Sequence, residues 1–149
     1  MNVQKLNRTL SILWLGIIVV ACTARPFLVA ERSTNPELVL NRTWQWVSTV
    51  TPAETIDVPH PERYTLIFVD QGTLQAQFDC NRSGGNYTMS AGQLSFGPLR
   101  STRMACPGDS LDTFFMRDLQ QVVSFFIDNG RLYMALPYDS GTMIFRPAP

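Results

Sequence analysis

The chain has 149 residues, of which 45% are hydrophobic, 16% charged and 11% aromatic. That supports one domain with a real core and excludes a disordered chain, a coiled coil or a solvated tail. Twelve basic and twelve acidic residues cancel, so no global field recruits nucleic acid or a charged substrate.

The N-terminus reads as an address. Lys5 and Arg8 precede the first acid, Glu31, and an apolar run from Leu10 to Ala21 ends at Cys22. A spanning helix needs about 20 apolar residues, so the shorter run reads as a secretory signal. Val19-Val20-Ala21-Cys22 resembles the lipobox of bacterial lipoproteins. That resemblance implies removal of residues 1–21 and lipidation of Cys22, and two or more acyl chains hold a protein at a membrane where one does not. The alternatives are an ordinary signal peptide cleaved near Ala24, or an uncleaved anchor. Thr23 in place of Asp after the cysteine leans toward the outer membrane of a two-membrane cell. In a cell with one membrane, the domain sits on its outer face. Ten basic residues then remain, all Arg, against twelve acids. They are scattered without a basic run or recognition motif, which reads as solvated and ion-paired side chains, not a nucleic-acid surface.

Residues 22–40 read as the lipidated N-terminus and a flexible tether, punctuated by Pro26 and Pro36; the domain is expected over 41–149. Residues 44–50 are rich in β-formers, with Trp44, Trp46 and Ser48 on one face. Pro52, Pro59 and Pro61 make the next stretch loop or edge. Residues 64–69 and 73–78 flank Asp70-Gln71-Gly72 as a hairpin, and Leu74, Ala76 and Phe78 mark its buried face. A second hairpin joins 86–90 to 93–96 through Ala91-Gly92, and Arg100 to Ala105 reads as a further strand. Leu111, Phe114, Phe115, Leu119, Val122 and Val123 then fall at helical spacing, with Asp109 or Ser110 as the cap and the aromatic pair as core packing. Residues 123–127 and 131–136 flank Asp128-Asn129-Gly130, a strong hairpin signal, and 142–145 forms the last strand. The sum is an α+β, β-rich domain. It is expected as a curled antiparallel sheet or partly open barrel of about eight strands, with one helix on the open side.

Two segments carry a family likeness. Cys80-Asn81-Arg82-Ser83-Gly84-Gly85-Asn86-Tyr87 and Ser101-Thr102-Arg103-Met104-Ala105-Cys106 are similar to the paired motifs of META domains. The chain resembles the META/HslJ family of small, often lipid-anchored envelope proteins over roughly 41–146. The resemblance implies one β-rich domain with a single helix, and a stress-related or envelope-maintaining role by analogy. It brings no catalytic site, and assigns no role to Asn81, Arg82, Gly85, Tyr87, Thr102, Arg103 or Met104. Once Cys22 is acylated, Cys80 and Cys106 are an even pair in an exported compartment, and a disulfide is expected. Two buried reduced thiols and a redox-active pair are the alternatives.

Chemistry beyond this is sparse. His60 is the lone histidine and lies between two prolines, a poor place to hold a base, and no Ser-His-acid or Cys-His set assembles without it. Neither a Cys-x-x-Cys motif nor a histidine cluster offers a metal site. Asp70, Asp79, Asp109, Asp112, Asp118, Asp128 and Asp139 fall at turns or helix ends, where Asp has structural work. Ser83-Gly84-Gly85 lacks the Lys-Ser/Thr of a phosphate loop. The expectation is therefore a non-enzymatic lipoprotein without cofactor, metal or nucleic acid, meeting the membrane through its lipid and an envelope protein or small ligand through its domain. The alternative is a ligand-sequestering barrel or small hydrolase with a cavity between sheet and helix. A polar cluster of Asn81, Arg82 and Arg103 in an apolar cavity favours it.

Overall fold

The computed structural model describes residues 32–149, so the expectations for residues 1–21 and for Cys22 lie outside the described residues. The elements are β1 (Thr43–Val50), β2 (Thr55–Asp57), β3 (Tyr64–Val69), β4 (Thr73–Phe78), β5 (Asn81–Ser90), β6 (Gln93–Phe96), β7 (Arg100–Ser101), α1 (Asp112–Leu119), β8 (Ser124–Asp128), β9 (Arg131–Ala135) and β10 (Thr142–Pro147). Eight strands run antiparallel in the order β1, β3, β4, β5, β6, β8, β9, β10, and β10 returns to β1. The barrel is closed, not curled or partly open. Its closing pair joins Trp44 to Pro147 and Val50 to Thr142, segments that no local periodicity connects. Closure leaves the barrel strands without a long free edge. Two short strands stand outside the ring: β2 pairs with β1, and β7 pairs with the first half of β5.

Local chemistry explains the hairpins. Ala91 and Gly92, and Asn129 and Gly130, take positive φ, as two-residue turns matched to strand twist require, and Gln71 and Gly72 do so within the three-residue connection Asp70–Gly72. Gly72 is further constrained, because a Cβ there would sit 2.8 Å from the Tyr87 carbonyl oxygen. In β4 the expected alternation holds, with Leu74, Ala76 and Phe78 facing inward, and in β3 Tyr64, Leu66 and Phe68 do the same. In β1 it breaks. A register shift between Trp46 and Ser48 turns Thr49 inward instead of Ser48, and the Trp46 indole donates to Ser48 O (2.9 Å) and Thr49 Oγ1 (3.1 Å). The bulge satisfies a buried N–H that a regular strand would leave without a partner.

The helix fills the barrel. Phe115 stacks on Trp46 (5.0 Å between centroids) and meets Phe78 (5.1 Å), Tyr64 (5.7 Å) and Phe145 (6.1 Å). These four side chains belong to four strands and point inward, so the helix reaches them through one mouth of the barrel. Leu119 and Val122 follow Phe115 inside, whereas Phe114 (41% exposed) and Val123 stay outside. Only half of the aromatic pair is core. The helix is shorter than its apolar spacing implies, because Val123 already donates to Ala135 O in the sheet. Its start is held by packing as much as by a cap. The Tyr64 hydroxyl accepts from Leu111 N at 2.7 Å, Ser110 Oγ accepts from Asp112 N at 3.3 Å, and Asp109 makes no cap.

Packing begins ahead of residue 41, within the stretch read as tether. Ser33 bridges Ile127, Leu40 bridges Phe68, and Val39 is fully buried. Asn35 caps the short turn Pro36–Leu38, and Arg32 lies over Phe126, which stacks on Tyr133. The described part of the N-terminal segment is thus laid against the barrel wall.

An ion pair between half-buried Arg63 and buried Asp79 ties the start of β3 to the end of β4. Arg63 Nε and Nη2 donate to Asp79 Oδ1 and Oδ2 at 2.5 and 2.6 Å, and Nη1 reaches Asp109 at 3.4 Å. These Arg63 hydrogen bonds, against the opposing effect of burial, hold the Asp79 carboxyl below the usual carboxylate range. A depressed folded-state pKa contributes stability that is complete above the ordinary value of about 3.9, and is lost as pH falls through the lower folded value. Melting temperature measured from pH 6 to pH 2 is therefore expected to fall steeply below about pH 4. Asp79→Asn should be less stable near neutrality, with its gap to wild type narrowing in acid. A gap that stays constant across the range removes Asp79 from the acid limb.

Candidate binding cleft

The two motifs meet through one side chain. Asn81 is buried at the first residue of β5. Its Nδ2 donates to Met104 O (3.2 Å) and its Oδ1 accepts from Met104 N (2.8 Å). The side-chain amide thus pairs both backbone groups of Met104, as a neighbouring strand would. Thr102 Oγ1 donates to Asn81 Oδ1 and accepts from Arg82 N, each at 3.0 Å. The Cys80–Cys106 disulfide closes the same clip, with Cα atoms 5.5 Å apart. Gly85 lets the incoming chain pass, because a Cβ there would lie 2.8 Å from Leu99 Cδ2 and 2.9 Å from Pro98 O. Tyr87 sets its ring edge on Phe68 and donates its hydroxyl to Val69 O at 2.9 Å; burial, then the nearby Asp70 charge, pushes that phenol's pKa up.

The remaining motif side chains do something else. Arg103 and Met104 project to solvent, Met104 being 59% exposed. They border a cleft of about 1000 Å³ between residues 99–105 and α1. Leu99 and Met116 give it an apolar lining, with Arg100, Arg103, Asp112 and Arg117 around it. Arg117 is held by Asp118 Oδ1 at 2.7 Å; Arg100 and Arg103 meet no acid among the described residues. Arg82 is not part of this cleft, and lines a separate depression beside Thr65 and Gln77. The cluster of Asn81, Arg82 and Arg103 that would favour the ligand-cavity alternative therefore does not assemble, since only Asn81 and Arg103 line this cleft. The barrel interior is occupied by Phe115 and its neighbours, so the cleft is an outer surface feature. Arg100, Met116 and Arg117 were not singled out from the sequence, although residues 113, 116, 117 and 120 share one helical face at i, i+3 and i+4 spacing.

His60 is exposed and lies 3.4 Å from Glu62. Among the described residues, no cluster of three His, Cys, Asp or Glu could hold a metal ion, and no helix is long and apolar enough to cross a membrane.

A closed antiparallel barrel plugged by one helix, with a clipped segment outside it, defines a small β-barrel domain with an external cleft. The META domain family model matches residues 37–148, and the chain belongs to that family. Similar solved structures include a protein from Burkholderia xenovorans (TM-score 0.63, 22% identity, covering 75% of this chain and 85% of that one). Another is a DUF4847 family protein from Bacteroides vulgatus (TM-score 0.58, 14% identity, 74% and 94% covered). At these identities the likeness concerns the fold alone. No significant match is found among curated proteins.

Proposed function

We propose that this protein is a membrane-anchored envelope lipoprotein whose META domain is a non-enzymatic binding module presenting its outer surface to a partner. The observation that carries the binding-module part is the filled barrel. Phe115 occupies the space that a sequestered ligand or buried reaction centre would need, while the cleft beside α1 is open to solvent and lacks an assembled nucleophile and base. The sequestering or hydrolytic alternative has no such support. The lipid anchor rests on the positive start, the short apolar run and Val19-Val20-Ala21-Cys22. Membrane fractionation and intact mass test it. Wild type is expected in the membrane fraction with the mass of an acylated Cys22 N-terminus, and Cys22→Ser in the aqueous fraction without that mass. Equal partitioning and migration of the two removes the anchor.

A further inference from the structure

We propose that the outer edge of residues 101–105 takes an extended acidic peptide by strand addition, with the cleft beside α1 as its seat. This rests on reading the domain as a binding module and names the class of partner. The directions of the backbone groups carry the argument. Thr102 N donates to Arg82 O, Met104 pairs through both its N and O with Asn81, and Ser83 Oγ donates to Arg100 O. Residues 100, 102 and 104 thus turn their polar groups toward β5. In an extended chain the intervening residues turn theirs the other way. Ser101 lies opposite Ser83 but between the bonding residues 100 and 102, so its polar groups turn outward with those of Arg103 and Ala105, on the side of the cleft that all three line, and no turn or loop backbone bond engages Arg103 or Ala105 among the described residues. The disulfide and the Asn81 clip hold this edge in place before any partner arrives, which lowers the ordering cost of binding.

A free edge five residues long spans about 13 Å at strand rise, and the 1000 Å³ cleft beside it has room for one extended chain. Strand addition draws affinity from main-chain hydrogen bonds and specificity from pockets for alternate side chains. Leu99 and Met116 offer the apolar contacts, and Arg103, with Arg100 on the opposite face of the extended segment, leaves the cleft net positive against Asp112 and so favours acids. The favoured ligand alternates acidic and apolar residues.

The test uses the full chain purified in detergent and a labelled synthetic heptapeptide, acetyl-Glu-Val-Glu-Val-Glu-Val-Glu-amide, read by fluorescence anisotropy and by hydrogen exchange. Saturable binding with new protection confined to Ser101, Arg103 and Ala105 is expected, because Thr102 N and Met104 N are already bonded. The exposed pair Arg100→Glu, Arg103→Glu should weaken it by about tenfold or more, with the barrel's circular dichroism unchanged. Replacing Glu by Lys in the peptide, or methylating alternate backbone nitrogens, should abolish it on the wild-type chain, independently of any variant. Absence of binding at millimolar peptide overturns the proposal, as does protection elsewhere or undiminished binding of the methylated peptide. A dimer whose Ser101, Arg103 and Ala105 amides are already protected also overturns it, because a second copy then occupies the edge. If the peptide fails while Cys22-dependent membrane attachment persists, strand addition falls and the lipoprotein reading stands.

Discussion

Phe115→Ala is expected to lower the unfolding free energy by about 3–5 kcal/mol, the range for truncating a fully buried Phe. Phe115 has no exposed surface and touches the rings of Trp46, Tyr64, Phe78 and Phe145. The loss combines burial with aromatic contacts, which add about 0.5–1.5 kcal/mol per pair beyond area. A second effect is topological. A helix of eight residues is too short to persist without tertiary packing, and Phe115 is its deepest anchor. Amide protection over α1 should therefore fall further than protection in β3 or β4. Phe114→Ala is the control on the same helix: Phe114 sits outside beside Arg117, and its loss should change stability by no more than about 0.5 kcal/mol. Chemical denaturation of both variants checks the pair. Equal losses would mean that the helix is held by its general apolar surface and not by insertion of one ring.

The same contrast shows what sequence periodicity carried. It placed a helix here, yet could not tell Phe114 from Phe115, because adjacent residues at the border of an apolar stripe both fit the spacing until the helix axis is fixed by its partners. Hairpins were legible because their determinants are local: Asn129-Gly130, Ala91-Gly92 and Gln71-Gly72 impose the turns by themselves. The start of β5 was not. Ser83-Gly84-Gly85 lacks β-forming side chains, and it is strand because neighbours on both sides supply partners, Gln75 and Ala76 in β4 and Arg100 and Ser101 in β7. Barrel closure was beyond reach for a related reason, since Gln45 and Arg146 meet across 101 residues. At the cleft, the motif residues were legible as a set. Their division into an inner clip (Asn81, Thr102, Gly85) and an outward pair (Arg103, Met104) follows only from the pairing of 100–104 with β5.

Removing the Cys80–Cys106 bridge is the second change with a large expected effect. The cysteines are 26 residues apart, and chain-entropy reasoning gives about 3.5 kcal/mol for closing a loop of that length. For a domain of this size the double variant Cys80→Ala, Cys106→Ala should melt about 10–15 °C lower than wild type. Intact mass of the non-reduced protein after alkylation should show no label on either cysteine. Two labelled thiols would remove the bridge, and an unchanged melting temperature would remove its importance. The bridge does not act alone, because Asn81 binds the same segment through Met104 and lies 3.2 Å from Cys106 Sγ. Groups that fix one segment together are not additive. With the bridge intact, Asn81→Ala leaves residues 102–106 tied at Thr102 and Cys106 but loose between them, and costs the hydrogen bonds of a buried amide. With the bridge gone, the same substitution leaves the segment held only at Thr102, by its bonds with Arg82. The triple variant should therefore lose exchange protection at Thr102, and lose peptide binding along that edge, by more than the separate effects multiplied together. A product equal to the separate effects would mean that clip and disulfide hold different parts of the chain, and the shared atoms around Met104 and Cys106 argue against that.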